Sequence, residues 1–210
     1  QAHGNEFSDI YCPMYLPNDR CEEYGKSDAK KPLIQCEYAH AMGNSEGGFK
    51  EYWDLIRKYP NYQGGFIWDF VDQSIHWKNK DGQYIYAYGG DFNPYDGSDN
   101  NFLDNGLISP DRNPNPHYFE VGYYYQSVWT TPIDLNKGMV EVYNEYFFRD
   151  LSNFSLEWEL VADGKVVETG VVPVLNVAPN QKQIINLGLI IPENCIAKEV
   201  FVDVAYKLKK

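Results

Sequence analysis

The sequence predicts an α/β unit of parallel βα repeats followed by a small all-β sandwich. Short, mostly apolar runs bracket one amphipathic stretch in the first part of the chain. Alternating runs separated by turn residues replace that pattern from about Ser127. At 210 residues the chain can form one large domain or two small ones, each with a real core.

Asp9-Ile10-Tyr11-Cys12-Pro13-Met14-Tyr15 and Leu33-Ile34-Gln35-Cys36 read as strands buried on both faces of a parallel sheet. Between Ser45 and Tyr59, the residues Phe49, Tyr52, Trp53, Leu55, Ile56 and Tyr59 recur at helical spacing. Asn44 or Ser45 is the expected cap and Pro60 the stop. Gly64-Gly65-Phe66-Ile67-Trp68-Asp69-Phe70 reads as a further buried strand. Crossovers of this length join parallel strands, so the expected first domain is residues 1–127. In the expected second domain, 128–210, Leu156-Glu157-Trp158-Glu159-Leu160-Val161 alternates and reaches Asp163-Gly164, a type I′ hairpin signal. Short strands at 140–147, 165–168, 184–187 and 200–206 complete an antiparallel sandwich.

Composition narrows the function. A net charge of -12 leaves no phosphate-neutralising stripe, which argues against a nucleic-acid partner. No apolar run reaches membrane-spanning length, so no membrane partner is expected. The first residues do not read as a signal peptide, and the start at Gln1 rather than Met points to a processed or excised piece. The compartment, cytoplasmic or periplasmic, stays open. Cys12, Cys21, Cys36 and Cys195 form no zinc spacing, so a reduced chain without a cysteine-bound metal is expected. Aromatic residues make up 16% of the chain, enough for stacking on sugars as well as for an ordinary core.

Glu37 is the candidate around which chemistry gathers. An apolar run delivers this carboxylate to a strand end, where parallel barrels place their chemistry. The plain alternative is a Glu satisfied by a neighbouring Arg or backbone amide. Tyr15 ends the preceding strand, while Trp68 and Asp69 end the following one. A phenol, an aromatic wall and acidic groups at one strand mouth make a plausible sugar site. The stretch from Asp91 to Asp99 superficially suggests a calcium loop, but its ligand spacing is off by one and Phe102 takes the closing Glu position. A turn-rich loop is the better reading.

At these residues a family resemblance emerges. Pro32-Leu33-Ile34-Gln35-Cys36-Glu37-Tyr38-Ala39-His40-Ala41-Met42-Gly43-Asn44-Ser45 resembles the nucleophile segment of glycoside hydrolase family two β-galactosidases. The similarity continues in Gly64 to Ser74, Tyr88-Gly89-Gly90-Asp91-Phe92, Asn105-Gly106-Leu107 and Asp111-Arg112, and covers roughly residues 9–127. It implies the last three strands of a (β/α)8 TIM barrel followed by an immunoglobulin-like β-sandwich. It further implies that Glu37 is the nucleophile that forms a covalent galactosyl-enzyme intermediate and that Tyr15 orients it. His40 would contact the sugar's 6-hydroxyl, and Trp68 would form a platform under the galactose ring. Without the resemblance, a buried His satisfied by backbone would be the better reading of His40. Phe102 through its carbonyl and Asn105 through its side chain match positions that bind sodium. Here the loop departs from the best-known members, since Asp104 precedes Asn105 and a shorter spacing separates Tyr15 from Glu37. The resemblance also implies a β-galactoside substrate, a homo-oligomeric parent, and a magnesium site with ligands outside this chain.

Retaining glycoside hydrolysis needs a second carboxyl group roughly 5–5.5 Å from the first. In the resembling family this is the Glu of an Asn-Glu pair on an earlier barrel strand. Glu6, in Asn5-Glu6, lies too close to Ile10 for a helix and a strand to intervene, and Asn144-Glu145 falls in the sandwich. A full barrel takes about 250 residues, so this segment is expected to carry no acid/base and not to hydrolyse galactosides alone. Other expectations are a related β-glucuronidase or β-mannosidase, or a non-catalytic carbohydrate-binding or interaction module in which Trp158 stacks on sugar.

Overall fold

A computed structural model describes residues 6–191 and 196–209. Asn5 of the first Asn-Glu pair and Cys195 lie outside the described residues. The chain divides into two compact units, Gln1–Tyr125 and Gln126–Lys210.

In the first unit, helix α1 (Asn18–Lys26) precedes strand β1 (Leu33–Tyr38), and helix α2 (Phe49–Lys58) connects it to strand β2 (Tyr62–Ile67). β1 and β2 pair in parallel, as the crossover length requires. On the other edge of β1, the segment around residues 11–15 adds a third parallel lane through bridges Tyr11–Leu33 and Met14–Glu37. This lane is less regular than the strand expected at 9–15. Pro13 has no N–H to give, so the ladder breaks into isolated bridges, although its carbonyl still accepts from Cys36 N at 2.9 Å.

The strand expected at 64–70 is also divided. β2 stops at Ile67, and a cis Trp68–Asp69 peptide follows. Residues 69–72 then pair with 105–108, through Asp69 N to Asn105 O at 2.7 Å and Leu107 N to Asp69 O at 3.1 Å. Between these segments lies a hairpin of β3 (Ile75–Lys78) and β4 (Tyr84–Ala87), and helix α3 (Pro116–Tyr124) closes the unit. Parallel lanes with covering helices are present, but the described residues form no closed barrel.

Packing explains why β1 sits where it does. Its side chains Leu33, Gln35 and Tyr38 are fully buried. Leu33 joins Cys21 of α1 and Tyr62 of β2 in one apolar cluster. Tyr38 joins Phe49 of α2, Leu107 and Val121 of α3 in another. The helix expected over 45–59 exists but begins later than its expected cap. Gly48 occupies the cap, while the Ser45 hydroxyl donates to His40 O at 2.5 Å and Met42 O at 2.7 Å. Ser45 therefore folds the loop after β1 instead of starting α2.

The second unit holds two three-stranded antiparallel sheets. One orders β5 (Val128–Asp134), β6 (Met139–Asn144) and β9 (Lys182–Asn186). The other orders β10 (Val200–Leu208), β7 (Phe154–Ala162) and β8 (Lys165–Val172). Both bury inward residues in a common core that includes Val140, Val142, Leu156, Trp158 and Ile185. Asp163 and Gly164 have φ of 46° and 77°, the paired left-handed backbone that a type I′ turn demands. Trp158 is 4% exposed and belongs to this core, which removes it from any sugar-stacking surface. Trp158→Ala is expected to cost about 3–5 kcal/mol, measured as a lowered denaturant midpoint for the sheet unit. A change below about 1 kcal/mol would show that the ring is not core.

Candidate active site

The site forms where the parallel lanes end. Tyr15 N donates to Glu37 O at 2.9 Å, Trp68 N to Tyr38 O at 3.4 Å, and Ala41 N to Trp68 O at 2.9 Å. These bonds bring the ends of three successive lanes to one level, with Tyr15, Glu37 and Trp68 as neighbours. Tyr15 and Ala39 adopt left-handed φ values of 50° and 49° as the chain leaves each lane. Such backbone costs energy for residues with a side chain and gathers at functional sites. Gln35, fully buried beneath, supports the turn at Tyr15. Its Oε1 accepts from Leu16 N at 2.7 Å, and its Nε2 donates to Tyr62 Oη at 2.8 Å.

Glu37 is half-buried, and its carboxylate lies close to the Tyr15 hydroxyl. Burial and the neighbouring Glu37 carboxylate together push the Tyr15 phenol far above its usual range, so it keeps its proton. The His40 ring lies edge-on to Tyr15 at 5.9 Å and stacks on Phe102 at 5.4 Å. Asp69, whose Oδ2 accepts from Gln73 Nε2 at 2.7 Å, is raised above the ordinary carboxylate range, chiefly by burial.

Several polar atoms at this mouth are buried without a protein hydrogen-bond partner: His40 Nε2, Trp68 Nε1, Asp69 Oδ1 and Asn105 Oδ1. Buried polar groups are normally paired, so these residues at the lane ends offer groups that can bind hydroxyls. His40 Nε2 in particular is not satisfied by backbone. Asn105 is 3% exposed, and its Nδ2 donates to Leu103 O at 2.7 Å. The remaining oxygen is a hard donor of the type a sodium ion takes, so Asn105 fits the expected cation site. Phe102 adds the ring against His40, and Asp104 Oδ1 is a further unpartnered buried oxygen beside them.

The remaining candidates fall outside this cluster. Asn144 is a structural residue whose Nδ2 donates to Arg149 O and Val177 O, while Glu145 Oε2 accepts from Trp129 Nε1 at 2.9 Å. Glu6 is exposed. In the acidic loop, Asn93 Oδ1 accepts from Tyr95 N and Asp96 N, giving an asparagine-nucleated turn. Among the described residues no group of three or more His, Cys, Asp and Glu side chains could hold a metal ion. Among them, too, no helix is long and apolar enough to cross a membrane. Cys12 and Cys36 are half-buried free thiols, and Cys21 is the buried one.

Residues 3–130 match the family model described as glycosyl hydrolases family 2, TIM barrel domain. The chain belongs to glycosyl hydrolase family 2. Residues 140–210 match the model described as beta-galactosidase, domain 4. The chain is 41% identical over 194 residues to "Beta-galactosidase 2" of Enterobacter cloacae, covering 87% of this chain and 19% of that protein. It is 40% identical over 202 residues to the "Beta-galactosidase" of Yersinia pestis bv. Antiqua (strain Angola), covering 88% and 19%. For that of Yersinia pseudotuberculosis serotype O:3 (strain YPIII) the identity is 40% over 202 residues, covering 88% and 18%. The chain thus spans about a fifth of the length of the curated relatives it matches.

In this family 2 chain, sequence reasoning passed over Glu46, Asp72, Asn115 and His117, which support the site from behind. The available signal was Glu46, the one acidic residue in the loop between β1 and α2. Its side chain is 1% exposed, with Oε2 3.7 Å from His117 Nε2. Burial, reinforced by Glu120, pushes Glu46 up to about 8. The folded state therefore keeps a proton that the unfolded chain releases near 4.5, so the stability present at low pH is lost as pH rises through about 8. Glu46→Gln is expected to flatten this fall, read from denaturant midpoints between pH 4.5 and 8. Parallel pH profiles for the two proteins would refute the assignment.

Proposed function

We propose that this chain supplies the nucleophile-bearing part of a retaining β-galactosidase. The observation that carries the reading is the alignment of three lane ends that sets the Tyr15 phenol beside the Glu37 carboxylate. In this reading Glu37 attacks the anomeric carbon of a terminal β-galactoside and forms a covalent galactosyl-enzyme intermediate, which water then hydrolyses. Tyr15 donates to the carboxylate and keeps it aimed. Trp68 provides the face on which the sugar ring rests, and His40 Nε2 is available to the 6-hydroxyl. Phe102, through its carbonyl, and Asn105, through Oδ1, would hold a sodium ion, which supplies a fixed positive charge for a sugar hydroxyl.

The acid/base carboxyl is assigned to a residue outside this chain, since Glu6 is exposed and Glu145 is hydrogen-bonded to Trp129 in the second unit. Phe66 and Phe70, 67% and 62% exposed, offer apolar surface of the kind that further barrel elements would cover. The second unit is read as the immunoglobulin-like sandwich that follows the barrel, with a homo-oligomeric parent. The β-galactosidase names of the relatives favour galactose over glucuronide or mannoside. The core position of Trp158 removes the main support for a non-catalytic sugar-binding module.

In the complete enzyme, Glu37→Gln is expected to lower kcat on a nitrophenyl β-galactoside by more than about a thousandfold. Tyr15→Phe, which deletes one hydrogen bond to a charged group, should lower it about 10- to 100-fold. The purified 210-residue chain should show no turnover. Turnover by this chain that disappears in Glu37→Gln would overturn the assignment of the acid/base elsewhere. Full activity of Glu37→Gln in the complete enzyme would overturn the nucleophile.

A further inference from the structure

Gly106 is held at both its N–H and its carbonyl by side chains distant in sequence. The Gly106 N–H donates to Asp72 Oδ1 at 2.7 Å. Its carbonyl accepts from Asn115 Nδ2 at 2.8 Å and from His117 Nε2 at 3.0 Å. A carbonyl only accepts, so His117 carries its proton on Nε2. Asn115 Nδ2 also reaches Asp72 Oδ2 at 3.2 Å, which links the two sides into one network. The position admits no side chain, because a Cβ on Gly106 would lie 2.1 Å from Asp72 N and 2.5 Å from Val71 C.

Gly106 directly follows Asn105, whose own carbonyl is fixed by Asp69 N at 2.7 Å. The Asn105–Gly106 peptide unit is thus tied to the segment 69–72 at both its carbonyl and its N–H. With Nδ2 committed to Leu103 O, the direction of the buried Oδ1 is set by backbone that Asp72, Asn115 and His117 restrain. Behind His117, whose side chain is 12% exposed, the buried Glu46 carboxyl closes off solvent at 3.7 Å.

We propose that Asp72, Asn115 and His117 are positioning residues that lock the backbone on both sides of Gly106 and thereby aim the Asn105 side-chain oxygen at a bound monovalent cation. The proposal rests on the reading of Asn105 as a sodium ligand and adds the residues that give that ligand its geometry. Preorganisation is the physical reason: a ligand oxygen already held in place loses no further freedom on binding the ion.

The test is a sodium titration of the complete enzyme at constant ionic strength, with choline as the balancing cation. Sodium-23 relaxation and the sodium-dependent rise in thermal midpoint report binding without turnover, and KM is followed in parallel. Asp72→Ala and His117→Ala are expected to raise the half-saturating sodium concentration about tenfold, the effect of one lost charge-assisted or buried hydrogen bond. His117→Gln, which keeps an N–H donor, should recover most of the wild-type value. A merely structural role would lower the midpoint equally with and without sodium. Asn105→Ala separates the two readings. If it abolishes the sodium response while His117→Ala leaves the half-saturation unchanged, the clamp is wrong and the cation site stands. If Asn105→Ala leaves the sodium response intact, the cation reading itself fails, and the proposal with it. Should Asp72→Ala not fold, His117→Ala and His117→Gln decide the matter.

Discussion

Parallel pairing of β1 with a neighbour on each side is the constraint on which the site depends. Side chains alternate along a strand, so a slip of one residue would carry Glu37 to the opposite face and bring Tyr38 out of the core. The register is held by burial: Leu33, Gln35 and Tyr38 are fully enclosed, and each has partners on α1, α2 or β2. Once that register is set, the ends of three lanes arrive together, and Tyr15, Glu37 and Trp68 share one mouth. The chemistry proposed for Glu37 is a consequence of how Tyr38 and Gln35 are buried.

The loops that complete the mouth are held by polar contacts more than by apolar packing. Ser45 folds the loop after β1 through two carbonyls. The Gly106 peptide is gripped by Asp72, Asn115 and His117. Such networks cost desolvation and repay it only when every bond is made, which favours a single geometry over a soft one. Against that rigid frame, polar atoms of His40, Trp68, Asp69 and Asn105 at the lane ends are left without a protein partner. Binding capacity and scaffold are thereby separated among residues only a few positions apart.

Much of this was legible in the chain, and the failures have physical causes. The apolar run 33–36 and the helical spacing from Phe49 announced β1 and α2 because burial dictates their composition. Asp163-Gly164 announced its hairpin because few residue pairs tolerate two left-handed positions. The run 9–15 looked equally strand-like, but a single Pro breaks the ladder without altering the apolar pattern. Ser45 has the chemistry of a helix cap, and its actual use on His40 and Met42 depends on a loop path that no local pattern encodes. Helix α3 and the β3–β4 hairpin are rich in exposed aromatic residues, so their periodicity carried little signal.

The sequence by itself determined the residue types at the strand ends, the change from parallel βα units to antiparallel sheets, and the family, because these reside in local composition and ordered motifs. Tertiary structure alone decided which polar groups are paired and which remain unpaired. Glu46, Asp72, Asn115 and His117 lie far from Glu37 or Asn105 in the chain or look like ordinary loop residues. Their roles arise from contacts spanning up to 71 positions between Glu46 and His117, and such contacts exist only after the lanes have closed. Hydrogen-bond satisfaction is a property of enclosed space, and no local run of residues specifies which partners that space will contain.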